Sequence, residues 1–476
     1  MTAPQGTASP PVPEGVEPDP SSRRRQRRAW YFYDWANSAY VTTTSTVLIG
    51  PYLTAVARAD ACPDLAAGEV CRADLSVLGI PVAPGSLVAY TVAVSTILAA
   101  LLLPVVGAIA DRSRHQKQML AGFAWVGAAA AACLGLVSGG NWQLGVLLLV
   151  VANINLVCSL VVYDALLCQV ATPDERDRAS SRGWALGYAG GFLLLAVNLG
   201  VVQGHEALGL SQSEAVRLSL ATAGLWWGLF TLIPVLGLRN REPIHVVGAG
   251  GAAAERESAA TAVRGSFRQL LVTLRDLRGY RNTWLFLLAY LFFNDGIQTV
   301  ISSSSLYGSE ELGFEQAQLI QTILLVQLVA VFGALLFGRA AVRYGAKRCV
   351  LVGISLWLLV VVIGFVMPAG QFTLFLGLAV LIGVVMGGTQ ALSRSLYSQL
   401  VPVGREAEYF SLYQAAERGT SWFGAVLFGL VYQLTDSYRP AIVSLMVFFV
   451  VGGLLLARVD VRKGIEEAGN TPPAVV

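Results

Sequence analysis

The chain has 476 residues, 55% of them hydrophobic and 13% charged, with a formal net charge of +3 at pH 7. Soluble domains carry roughly 25% charged residues, so this composition excludes a soluble enzyme of this length and a secreted disulfide scaffold. The small net charge gives no case for a nucleic-acid partner, and the composition is that of a polytopic membrane protein.

Residues 1–29 read as a cytoplasmic N-terminal tail, rich in Pro, Ser and Gly before a basic cluster at Arg23, Arg24, Arg25, Arg27 and Arg28. No short apolar core with a small-residue cleavage site follows that cluster, so a topology anchor touching anionic lipid is the better reading than a signal peptide. A transmembrane helix needs about 20 mostly apolar residues to cross roughly 30 Å of hydrocarbon. Such runs are predicted at 35–56, 86–110, 119–138, 142–166, 183–203 and 218–238, then at 283–304, 316–338, 349–367, 372–394, 408–433 and 441–457. These twelve spans fall into an N-terminal six-helix bundle over 30–238 and a C-terminal one over 282–457, with a cytoplasmic tail at 458–476. Between the bundles, 239–281 reads as a cytoplasmic linker whose end, 264–281, has the pattern of a short basic amphipathic helix at the inner surface.

The first run is weak by hydropathy because of Tyr33-Asp34-Trp35-Ala36-Asn37-Ser38. It is retained because an even count places both termini on one side, and the charges agree. With the termini inside, 27 Lys and Arg residues fall on the cytoplasmic side against four outside, namely Arg58, Arg72, Arg217 and Arg439. By the positive-inside rule, both termini are cytoplasmic. Trp30, Tyr31, Trp142, Trp226, Trp227 and Trp284 lie near span ends, where interface belts account for them.

Cys62 and Cys71 share the first exterior loop, where a local disulfide can form in an oxidising exterior. The other four cysteines sit in or beside spans, and the three histidines have no ligand spacing around them. No metal site, phosphate-binding glycine loop or nucleophile–base pair is legible, so neither a cofactor nor enzymatic activity is expected.

The halves echo each other. Asp34, Asn37 and Ser38 of span 1 are matched by Asp295, Gln298 and Thr299 of span 7, offset by 261. Pro173–Asp177 is matched by Pro402–Glu406 at an offset of 229, and Gly190 by Gly419 at the same offset. A weaker echo relates Gly107 to Gly338, offset by 231. Parallel halves around a midplane site fit a monomeric two-bundle transporter that exposes the site to each side in turn.

The loop Gly107-Ala-Ile-Ala-Asp111-Arg112-Ser-Arg114-His-Gln-Lys117 resembles the signature between spans 2 and 3 of the major facilitator superfamily. In that superfamily the glycine permits close helix approach, and the acid and basic residues lock the inner gate. The resemblance therefore assigns Gly107, Asp111, Arg112 and Lys117 to a gate. The segments YDWANS in span 1, FFNDGIQTV in span 7, TQALSRS in span 10 and ERGTSW in span 11 resemble the autophagy-related vacuolar amino-acid effluxers and their bacterial relatives. The resemblance covers about Trp30 to Ala457 and implies an all-α, twelve-span major-facilitator fold. It also implies efflux of amino acids or similar small solutes. Where that pattern has Asn before Ala-Leu-Leu in span 4, this chain has Asp164, an extra titratable group if it faces the cavity.

Ionisable groups cost roughly 2.5–3.5 kcal/mol each at a helix centre in a bilayer, so those within spans are seldom idle. The spacings i, i+3, i+4 place Asp34, Asn37 and Ser38 on one face, and Asp295, Gln298 and Thr299 on another. Two such faces suit a central cavity, where a carboxylate binds an ammonium or carries a coupling proton. Against this stands the reading of both acids as helix N-terminal caps. Gln390 and Arg394 are one turn apart, so Arg394 either receives a substrate carboxylate or closes the inner gate with an acid. Glu417 and Arg418 are adjacent. A structural ion pair with other spans accounts for them and counts Arg418 among the gate residues, while Tyr413, one turn from Glu417, leaves a proton-binding role open. The function that follows is secondary transport of a small polar solute, in contact with membrane lipid, with protons on a buried carboxylate as the means of any coupling. The alternative is a non-transporting receptor or scaffold on the same fold.

Overall fold

The computed structural model describes residues 20–63, 71, 73–77, 79–240, 275–276, 279–419 and 422–476. Most of the expected linker and its basic helix, and the tail before Pro20, lie outside the described residues. Ten of the described helices are long and apolar enough to cross a bilayer unaided. In order they are Pro84–Arg112, Gln116–Leu136, Trp142–Val170, Pro173–Gln203 and Gln212–Gly237, then Arg281–Glu311, Gln316–Tyr344, Ala346–Val366, Phe372–Leu400 and Tyr438–Ala457. They correspond to spans 2 to 6, 7 to 10 and 12.

The other two expected spans are described in segments. Span 1 runs as a helix over Pro20–Tyr40, widens into a π-helical stretch over Val41–Leu48 and resumes over Ile49–Ala61. The widened stretch is VTTTSTVL, poor in strong helix formers, and Thr46 donates back to the Val41 carbonyl at 3.0 Å. Span 1 starts well before its apolar run because the polar extension is held down: Arg27 pairs with Glu175, and Trp30 is buried. Span 11 consists of Glu406–Gly419 and Trp422–Thr435. With these two, the architecture is compatible with twelve spans in two bundles.

Large apolar side chains such as Ile97, Leu225, Phe332 and Leu434 are exposed around the outside. In water this would be a liability; around a bundle of apolar helices it is the lipid-facing belt. The first exterior loop closes with a Cys62–Cys71 disulfide and carries a short antiparallel hairpin, Leu75–Val77 with Ile80–Val82, which periodicity had not indicated. Trp30, Trp142 and Trp227 correct their interface-belt reading. All three are buried between helices, while Trp284 is exposed.

The bundles meet through two crossings that repeat the sequence echo. A Cβ at Gly107 of span 2 would lie 2.6 Å from the Ala407 carbonyl at the start of span 11. A Cβ at Gly338 of span 8 would lie 2.4 Å from Ser181 Oγ near the start of span 5. Only glycine allows either approach. Both crossings lie toward the arginine-rich face of the molecule, so the halves are closed there.

Candidate functional site

Arg394, in span 10 of the second half, projects into the first half. Its Nη2 lies 2.9 Å from Asp34 Oδ2, and its Nη1 lies 3.4 Å from Asp34 Oδ1 and 3.3 Å from Asp164 Oδ1. The Nε donates to Ser180 Oγ at 2.9 Å, and Nη2 also donates to the Ser180 carbonyl at 3.1 Å. The guanidinium stands 4.9 Å from the Trp30 ring centroid, 5.4 Å from Tyr163 and 5.3 Å from Trp184. Such a planar cation suits both the forked carboxylate contact and the aromatic faces, which lysine would not. The acids are held in turn: Tyr163 donates to Asp34 at 2.7 Å, and Gln414 donates to Asp164 at 2.8 Å. Gly183 of span 5 makes room, because a Cβ there would sit 2.5 Å from Asp34 Oδ2.

Below this cluster, toward the arginine-rich face, further bonds join the halves. Asp111 accepts the Ala407 and Glu408 backbone N–H groups, each at 2.8 Å, and so caps the first turn of span 11. Arg176 donates to the Ser398 carbonyl at 2.7 Å, Gln399 to the Pro173 carbonyl at 2.8 Å, and Ser395 to Asp177 at 2.7 Å. These contacts draw on the Pro173–Asp177 segment, the first-half copy of the repeat. Arg112 is exposed and Lys117 half-buried, both at the rim of this closure.

Above the Arg394 cluster lies a cavity of about 670 Å³ between the halves. Its walls reach from Asp34 to Thr46 on span 1 and from Gln298 to Ser305 on span 7, so it extends away from the arginine-rich face. Asn37, Ser38, Asp164, Gln298, Gln390, Arg394, Glu417 and Arg418 all line it. Gln390 accepts the Tyr188 hydroxyl at 2.6 Å, and Gln327 of span 8 donates to Thr42 of span 1 at 2.7 Å across the gap. The remaining wall mixes hydroxyls with aliphatic side chains, including Val41, Ile323 and Ile382.

Two expected cavity residues stand elsewhere. Asp295 and Thr299 are buried against the second segment of span 11, and Asp295 Oδ2 accepts the Gly424 N–H at 2.7 Å. Gly424 permits that approach, since a Cβ there would lie 2.1 Å from Thr299 Oγ1. Gln298 alone of that trio faces the cavity. Arg418, expected at the gate, lines the cavity and makes no ion pair among the described residues. Trp30, Tyr163, Ser180, Trp184 and Gln414, which build the Arg394 site, have no motif that singles them out.

Residues 22–176 and 169–469 match the family described as vacuole effluxer Atg22 like. The chain belongs to that family. It is 33% identical to the uncharacterized MFS-type transporter YxiO of Bacillus subtilis (strain 168), over 91% of this chain and 94% of the relative. It is 25% identical to autophagy-related protein 22-1 of Phaeosphaeria nodorum, covering 94% of this chain and 92% of that one. Among solved structures, the major-facilitator proton:xylose symporter XylE superposes with a TM-score of 0.68 at 14% identity, covering 94% of this chain and 98% of that one. The human organic anion transporter MFSD10 gives a TM-score of 0.63, also at 14% identity, with coverages of 91% and 99%. This Atg22-like chain is an integral membrane transporter of the major facilitator fold.

Proposed function

We propose that this transporter moves a small zwitterionic solute of the amino-acid class by alternating access, coupled to protons. The arginine-rich face is cytoplasmic, both termini lie on that side, and the membrane is the plasma membrane of a bacterium. The observation that carries the reading is Arg394 bound to Asp34 and Asp164 beneath the cavity. The first half supplies both carboxylates and the second half the guanidinium, so opening toward the cytoplasm must separate them. Removing one partner from a buried ion pair costs about 3–5 kcal/mol, a barrier that an incoming ligand or proton must offset.

Charge counting supports protons as the coupling ion. Three carboxylates, Asp34, Asp164 and Glu417, face two guanidiniums, Arg394 and Arg418, around one cavity. With all five ionised the cluster is negative by one, which a low-dielectric interior disfavours. One proton balances it, and Asp164 is its place: Arg394 contacts it once and Asp34 twice. When a carboxylate of the pair is neutral, Arg394 can leave it at lower cost. The cavity's mixture of charges at its base and aliphatic walls above suits a zwitterion with a partly apolar body. The efflux direction is the one that the vacuole effluxer family description supports. The test is flux of a labelled amino-acid mixture into and out of proteoliposomes, with and without an imposed pH gradient. Gradient-dependent movement of at least one component is expected; no movement of any component, from protein shown to be folded, would remove the amino-acid reading.

A further inference from the structure

We propose that Arg418 is the cavity's receptor for a carboxylate, so that the transported solute bears an anionic group; this rests on the cavity being the transport site. The inference starts from Arg394, the other guanidinium in the wall. Its Nε and both Nη atoms already donate to Asp34, Asp164 and Ser180. A substrate carboxylate could reach it only by displacing the contacts that hold the halves closed.

Arg418 stands differently. It lines the same cavity from span 11, yet makes no hydrogen bond or ion pair among the described residues, and its Nε is buried with no acceptor. A buried donor without a partner is costly, and a guanidinium offers five donors in a fixed fork that matches a carboxylate. Glu417, its neighbour, is turned about 100° away on the helix; the two charges act on each other along the cavity wall, but no ion pair joins them. Arg418 occupies the last turn of the Glu406–Gly419 helix, where the negative end of the helix dipole stabilises a cation that awaits a ligand. Span 1 lines the same cavity through Asn37, Ser38 and Val41, so the ligand would sit between the two halves. A carboxylate there would contact the second half through Arg418 while its body faced span 1.

The test uses the purified full chain in lipid nanodiscs, with ligand binding read by quenching of intrinsic tryptophan fluorescence. The probes are the standard L-amino acids, their carboxyl amides, and a series of short monocarboxylates. At least one carboxylate is expected to bind, with its amide roughly 10- to 100-fold weaker, the loss expected for a charge-assisted fork. Arg418→Gln should lower carboxylate affinity to that of the amide and leave the amide unchanged, while Arg418→Lys retains part of the preference. Equal binding of acid and amide by the native protein, unchanged carboxylate affinity in Arg418→Gln, or no binding by any carboxylate would each overturn the proposal. If Arg418→Gln does not fold, the acid–amide comparison on the native protein still decides. Binding of monocarboxylates but not amino acids would support Arg418 as receptor while removing the amino-acid reading. Amino-acid binding with no acid–amide difference would do the reverse.

Discussion

Arg394 and Asp34 are 360 positions apart in sequence, yet their Nη2 and Oδ2 atoms lie 2.9 Å apart, with Trp30 and Trp184 flanking the guanidinium. Each residue comes from a different half, so the pair exists only while the halves are closed on the arginine-rich side. Asp164 and Ser180 complete the shell. Stability and conformation are therefore linked at one point in this molecule.

Arg394→Gln would leave Asp34 and Asp164 facing each other without a cation. It is expected to destabilise the closed form by about 3–5 kcal/mol, the cost of breaking a buried pair from one side. Adding Asp34→Asn should recover part of that loss, because one orphaned charge is removed. Thermal unfolding of the single and double variants in detergent checks this. Additive destabilisation, with no recovery in the double variant, would mean that the pair is not energetically coupled.

Asp164→Asn tests the proton assignment separately. Asp34 keeps its two contacts with Arg394, so the variant should fold and transport. Its flux should respond at least several-fold less to an imposed pH gradient than that of the native protein. A preserved gradient response would place the proton elsewhere, with Glu417 next in line.

The two glycine crossings differ in what they would meet. At Gly107 an added methyl strikes the backbone carbonyl of Ala407; at Gly338 it strikes Ser181, whose Oγ can rotate away but whose Cβ, 2.5 Å off, cannot. Gly107→Ala and Gly338→Ala should therefore each shift the protein toward opening at the arginine-rich face. Spin-label distances across that face would show it as a longer component. Populations unchanged from the native protein in either variant would contradict the packing argument.

Asp111 satisfies two N–H groups at the start of span 11, as a helix cap does. Asp111→Ala is expected to cost about 0.5–2 kcal/mol from the lost cap and to loosen the same face. Asp111→Asn, which can still accept, should lose less. Thermal unfolding of the two variants gives the order; Asn at or below Ala would show that capping is not the role of Asp111.

The long features of the fold are written plainly in the sequence. Apolar runs such as 349–367 have no alternative to a span, and the echo of Gly107 by Gly338 corresponds to two real crossings between halves. Span 1 is harder to read because lipid-facing hydropathy is a poor guide where a helix lies inside the bundle. Span 1 is almost encircled, so Tyr33, Asp34 and Asn37 replace the apolar residues that lipid contact would demand. Helix rotation was the other blind spot. The spacing of Asp295, Gln298 and Thr299 defines a shared face but not which neighbour covers it, and Gly424 brings span 11 over Asp295 and Thr299. Tyr163, Ser180 and Gln414 acquire their place only through three-dimensional proximity to Arg394 and Asp164. Trp30 resembled an interface residue because it follows the Arg23–Arg28 cluster, whereas the ring packs beneath a guanidinium.

The central claim is that the halves must part around Arg394 in every transport cycle. Asp177 and Ser395, one from each half and hydrogen-bonded at 2.7 Å, offer a place to prevent it. The decisive measurement is amino-acid flux in proteoliposomes by the Asp177→Cys/Ser395→Cys double variant, before and after a short thiol-specific cross-linker and again after its reductive cleavage. Flux that stops on cross-linking and returns on cleavage is the predicted result. Flux that continues at the same rate through a fully cross-linked protein would contradict the account.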